Sequence, residues 1–133
     1  MNSCTPTIVV VDDSPAVRRF FKTSMAPLDV HVLLFATAEE SLAYLNDSEA
    51  ALVFLDIIMP GKDGLTFLEE FRRNPLHQHT PVIMISAKDY RQDRGIAKRL
   101  GATEFVAKPV AGKTIQDLAV KYTHAQVRQA AAG

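Results

Sequence analysis

Five side chains capable of chemistry sit where apolar runs stop. Asp12 and Asp13 follow the run Ile8 to Val11, Asp56 follows Ala51 to Leu55, Ser86 follows Pro81 to Ile85, and Lys108 follows Phe105 to Ala107. Three carboxylates, one hydroxyl and one amine would form a crowded site if folding gathered them. Two like charges ~4 Å apart repel by about 4 kcal/mol at an effective dielectric near 20. Three carboxylates therefore cannot share a crevice as anions without cations. Lys108 supplies one charge, and a hard divalent ion would supply the rest. An all-oxygen donor set favours Mg²⁺ over zinc. A carboxylate beside Mg²⁺ and a lysine suits phosphoryl chemistry. Asp56 is the candidate nucleophile forming an acyl phosphate. The metal and Lys108 would hold the equatorial oxygens, and Ser86 could donate to one of them. The plainer alternative, that Asp12 or Asp13 caps the first helix, is weakened because Ser14 already offers a cap.

The elements that must position these groups alternate five times between strand-like and helix-like signal. The strands are expected at Thr7 to Val11, Val30 to Phe35, Ala51 to Leu55, Pro81 to Ile85 and Phe105 to Ala107. The first is a continuous β-branched run, as expected for a strand covered on both faces. Ser14-Pro15 reads as an N-cap followed by proline at the first helical position. Val17, Phe20, Phe21 and Met25 recur at helical spacing, and the Phe20–Phe21 pair is expected in the core. Thr37 and Glu40 form a capping box before a helix bearing Ala38, Leu42 and Leu45. "MPGKDG" is a turn leading to a helix with Leu65, Leu68 and Phe71, closed by Asn74-Pro75. A polar helix from about Asp89 to Leu100 stops at Gly101. A last helix carries Ile115, Leu118, Ala119 and Tyr122. Such alternation predicts a doubly wound α/β fold, a parallel sheet with helices on both faces and right-handed crossovers. The reactive residues then share one sheet edge, where ligands of such folds bind.

Composition narrows the function further. The chain has 133 residues, enough for one domain, with 47% hydrophobic and 23% charged residues. Fifteen basic residues balance fifteen acidic ones, so no global field steers nucleic acid or an anionic membrane. Cys4 is the single cysteine, which rules out a disulfide framework or a cysteine zinc site. No apolar stretch approaches the ~20 residues of a membrane-spanning helix. The N-terminus lacks the basic-then-apolar plan of a signal peptide, so the cytoplasm is the expected compartment. Residues 1–6 read as an arm, 7–125 as the domain, and 126–133 as a tail or linker stub. His77 and His79, without a third ligand, are expected on a solvated surface. "GKDG" is too short for a phosphate loop. The basic stretch Arg91, Arg94, Lys98 and Arg99 reads as a solvated or partner face. It lacks the aromatic interleaving of a nucleic-acid site.

The segments "VVVDDSP", "LVFLDIIMPGKDGLTFL", "PVIMISA" and "GATEFVAKP" resemble, in order and separation, the receiver domain of two-component response regulators. The resemblance covers essentially the whole chain. It implies a flavodoxin-like (βα)5 fold with strand order 2-1-3-4-5 and a place in a phosphorelay. Asp56 would accept a phosphoryl group from a histidine kinase or histidine phosphotransfer protein. Asp12, Asp13, Asp56 and the Ile58 backbone carbonyl would hold Mg²⁺. Lys108 would contact the phosphoryl group, Ser86 and Phe105 would be the switch pair, and the Lys108-Pro109 bond would be cis. Ile58 and Lys88 would flank the path of the hydrolytic water and tune dephosphorylation. The aliphatic Ile58 offers that water no polar group, so a long-lived phosphorylated state is expected. Phosphorylation would reshape the surface of the fourth helix, fifth strand and fifth helix. That surface would act on a downstream protein, a fused output domain or a second copy of the chain. Val110 after Lys108-Pro109 departs from receivers with DNA-binding outputs, which often carry an aromatic there. Two other classes compete. A Mg²⁺-dependent phosphatase with an aspartyl nucleophile, of the haloacid-dehalogenase type, would need a D-x-D pattern that "VDDSPAV" does not supply. A flavin carrier would need a loop free of Asp12 and Asp13.

Overall fold

The computed structural model describes residues 5–58, 61, 63–86 and 91–128, with the side chains of residues 91–93 excepted. Five strands, β1 (Thr7–Val11), β2 (His31–Phe35), β3 (Leu52–Asp56), β4 (Val82–Ser86) and β5 (Glu104–Ala107), alternate with five helices. The helices are α1 (Pro15–Met25), α2 (Ala38–Leu45), α3 (Gly64–Arg73), α4 (Arg91–Arg99) and α5 (Gly112–Thr123), and a 3₁₀ turn at Pro75–His77 follows α3. All strand pairs are parallel, in the order β2-β1-β3-β4-β5. The order reverses between β1 and β3, and that reversal opens the crevice.

The β-branched runs alternate between two apolar layers. Ile8, Val10, Leu52, Phe54, Ile83 and Ile85 face the layer of α1 and α5, where Phe21, Met25 and Ile115 pack. Val9, Val11, Val53, Leu55, Val82 and Met84 face the layer of α2, α3 and α4, with Leu45, Phe67, Phe71 and Ala97. Both faces being covered, β3 and β4 are buried along their whole length. Caps fix the helix starts. Ser14 Oγ accepts from Val17 N–H, Thr37 Oγ1 from Glu40 N–H, and Asp63 from Thr66 N–H.

Several expectations shift. Asp56 and Ser86 end β3 and β4 as expected, pairing with Ile85 and Ala107, but the two strands start one residue late, at Leu52 and Val82. β2 starts at His31 because Val30 N–H donates to Leu28 within the preceding turn. Phe21 is buried edge-on against Phe54 at 5.1 Å, but Phe20 is 45% exposed. Consecutive helical residues are ~100° apart, so only one of the pair can face the sheet.

His77 overturns the expectation of a solvated surface. It is fully buried and stacks on Phe71 at 4.3 Å. Its Nε2 donates to the Leu45 carbonyl at 2.6 Å, which ties the turn after α3 to the end of α2. His79 is exposed. Arg72 adds a second tie, donating to the Gly101 carbonyl at 2.6 Å and to the His77 carbonyl at 2.7 Å. Burial pushes its guanidinium below the ordinary value. Hydrogen bonds from a charged donor contribute about 1.5–3 kcal/mol, so Arg72→Ala should cost about 3 kcal/mol in urea unfolding. A loss below ~1 kcal/mol would mean that water replaces the guanidinium at both carbonyls.

After α5 the chain reverses at His124, with φ 59°. Asp29 N–H donates to the Gln126 carbonyl, Leu28 and Val127 form an antiparallel bridge, and Arg128 Nε donates to the Leu28 carbonyl. Residues 126–128 of the expected tail thus lie along the loop before β2.

Candidate metal and phosphoryl site

Parallel pairing delivers the ends of β1, β3, β4 and β5 to one edge of the sheet. Asp12, just past β1, is 3% exposed, and both its carboxylate oxygens are engaged. Oδ1 accepts from Ser14 N–H at 2.9 Å, and Oδ2 accepts from Lys108 Nζ at 3.0 Å. Arg18, one turn into α1, donates to the Asp12 backbone carbonyl at 2.8 Å. Asp56 is 6% exposed, with Lys108 Nζ 3.5 Å from its Oδ2. Asp13 is exposed at the mouth. One carboxylate oxygen from each of Asp12, Asp13 and Asp56 lies within 4.8 Å of the others. Ser86 is fully buried at the end of β4, and its carbonyl accepts from Lys108 N–H. The Lys108-Pro109 bond is cis, as expected.

Burial dominates the electrostatics. It raises the Asp56 carboxyl, the Asp12 charge raises it further, and Lys108 and the Ile58 N–H pull it back, leaving it at about 6. Burial alone would depress Lys108, but its hydrogen bond and charge contact with Asp12, joined by Asp56, leave it raised. A desolvated carboxylate beside another, with one ammonium between two acids, is short of positive charge. The donor set is all oxygen and fits a hard divalent cation.

Ile58 is 54% exposed at the rim, and its backbone N–H donates to Asp56. Phe105 is half-buried on β5 with the Arg94 guanidinium over its ring. Lys88 lies outside the described residues. Two positioning residues escaped sequence reasoning. Arg18 has no periodic signature, because its target is a backbone carbonyl. Gly64 starts α3, and a Cβ there would lie 2.6 Å from the Asp56 carbonyl and 2.8 Å from Ile57 Cα. Only glycine lets the helix start approach the acidic strand end this closely, and the second glycine of "GKDG" was its only trace.

Fold and site together define a doubly wound α/β domain with an acidic crevice at its topological switch point. The response regulator receiver domain family model matches residues 8–120, and the chain belongs to that family of two-component signalling domains. Protein PilG of Pseudomonas aeruginosa is 30% identical over 102 residues, covering 77% of this chain and 76% of PilG. Transcriptional regulatory protein CpxR of Klebsiella pneumoniae is 37% identical over 102 residues, covering 77% of this chain but 42% of CpxR. Against several such regulators the chain spans less than half their length. Chemotaxis protein CheY4 of Vibrio cholerae superposes with a TM-score of 0.84 at 22% identity, over 90% of this chain and 99% of that one. The receiver domain of sensor histidine kinase PA1611 from P. aeruginosa, with magnesium coordinated in its active site cleft, gives 0.82 at 20% identity, over 91% and 99%. No helix among the described residues is long and apolar enough to cross a membrane.

Proposed function

We propose that residues 7–125 form a phosphorylatable receiver in which Asp56 takes a phosphoryl group from a histidine kinase or histidine phosphotransfer protein. One observation carries this reading: a buried carboxylate, raised to about 6, lies 3.5 Å from Lys108 inside a cluster of three aspartates. Asp12, Asp13, Asp56 and the Ile58 carbonyl would hold Mg²⁺, which supplies charge neutralisation when bound. This chain's own residues do the rest. Asp56 Oδ attacks phosphorus, the phosphorus–donor bond breaks, and the leaving group takes the electron pair. Lys108 stays protonated and faces the arriving oxygens. Ser86 swings toward the acyl phosphate, and Phe105 follows into the vacated space. The α4–β5–α5 surface then acts on an output protein, a fused domain or a second copy. The test is incubation with acetyl phosphate or beryllofluoride, with and without Mg²⁺. A stoichiometric Mg²⁺-dependent adduct located at Asp56 is expected. Catalytic turnover without an adduct would favour the phosphatase instead.

Two predictions arise here. Phe20, exposed on α1, lines an apolar groove with Val17, Lys108, Pro109 and Val110 beside the site. Buried aromatic anchors dominate protein contacts, so Phe20→Ala should slow transfer from a protein donor about tenfold. The acetyl phosphate rate should not change. Equal losses with both donors would rule out Phe20 as a donor contact. For Ile58, the aliphatic side chain at the rim gives water no hydrogen-bond partner. Ile58→Asn should raise the self-dephosphorylation rate by roughly tenfold, the factor that one hydrogen bond to the attacking water would supply at about 1.4 kcal/mol. An unchanged or lower rate would remove Ile58 from that role.

A further inference from the structure

The ring of Phe105 is held between two unlike surfaces. On its inner side it packs on the apolar layer that contains Met84 and Ala97. On its outer side the guanidinium carbon of Arg94 stands 5.0 Å from the ring centroid. Arg94 projects from α4 and is exposed. With Ala97, Lys98 and Ala102 it lines a shallow groove that runs beside the ring. A phenylalanine has no hydroxyl to anchor it, so packing and the ring quadrupole decide where it rests.

We propose that Arg94 is a positioning residue that latches Phe105 in its resting place and so opposes the activated packing of the domain. The latch rests on the functional reading above, in which Phe105 leaves this position when Asp56 is modified. The latch requires that the ring's move toward Ser86 break the cation–π contact with Arg94. A contact made in one packing alone weights the equilibrium toward that packing. At an exposed site a cation–π contact shifts an equilibrium by about two- to fivefold. By linkage, any ligand that selects the activated packing binds tighter by the same factor once the latch is gone. Arg94 also interacts with groups other than this ring. A single substitution therefore mixes effects, and a double-mutant cycle isolates the ring contact.

The experiment measures beryllofluoride affinity in saturating Mg²⁺ for the wild-type chain, Arg94→Ala, Phe105→Leu and the double variant. Arg94→Ala should tighten binding about two- to fivefold, the range expected for an exposed cation–π contact. In the Phe105→Leu background the same substitution should leave affinity unchanged. Arg94→Lys, which keeps the charge but offers a weaker planar stack, should fall between wild type and Arg94→Ala. Equal effects of Arg94→Ala in both backgrounds would overturn the latch, as would weaker binding in the Phe105 background. No adduct in the wild-type chain would overturn the receiver reading and the latch with it. An adduct without coupling overturns the latch alone.

Discussion

Asp56→Asn should lose Mg²⁺-dependent phosphoryl labelling by at least ~100-fold while making the metal-free chain more stable at neutral pH. The two effects have one origin. The amide is isosteric but has no carboxylate oxygen to form the acyl phosphate. It also removes an anion that burial and Asp12 disfavour. Asp56 sits at about 6 in the folded chain against an ordinary 3.8. Between these values the folded chain binds the extra proton, so acidification through that window stabilises it. Above 6 the ionised group carries its full penalty, about 2–3 kcal/mol for a shift of this size. Urea unfolding without metal at pH 7.5 should therefore favour Asp56→Asn by about 2 kcal/mol, and the gain should vanish below about pH 4. Mg²⁺ should narrow the difference by stabilising the wild-type chain more. Labelling that survives the substitution would refute the assignment of the acceptor. A stability gain that ignores pH would refute the origin assigned to it.

Lys108→Ala is the second large effect. The ammonium contacts Asp12 at 3.0 Å and Asp56 at 3.5 Å, so its removal leaves two buried acids facing each other. Breaking a buried ion pair from one side costs roughly 3 kcal/mol. The metal-free chain should lose about that much at pH 7.5, and Asp56 should titrate above 6. Phosphorylation should slow by about 10²–10³-fold, as when one preorganised donor to developing charge is removed. Lys108→Arg should recover more of the stability than of the rate, because a planar fork cannot reproduce a point charge at that spot. Full rate in Lys108→Ala would remove the lysine from the reaction.

Much of this was legible in the residues. Thr7 to Val11 reads as a doubly covered strand because its β-branched run is unbroken, and both layers do pack on it. The four reactive strand ends could be gathered on paper because parallel pairing leaves their C-terminal ends on one edge. Local caps at Ser14 and Thr37 were readable because partner and target are three residues apart. Contacts between distant segments were not. His77 looks like a surface residue until Phe71 and the Leu45 carbonyl are placed around it. Arg18 and Arg72 act on backbone carbonyls, which carry no residue identity. Phe20 shows the limit of reading adjacent aromatics as a unit, since geometry sends one to the core and one to solvent.

The way Asp12 is held has a consequence for ion starvation. Its two oxygens are already satisfied by a peptide N–H and an ammonium that come from this same polypeptide. In a chain waiting without a divalent ion the Asp12 carboxylate is therefore already partnered, and the shortage of positive charge falls on Asp56. Lys108 stands in as an internal counter-ion, ready to be shared when a richer source of charge arrives. Under the receiver reading, metal supply would then set how fast the molecule responds rather than whether a folded pool of it exists.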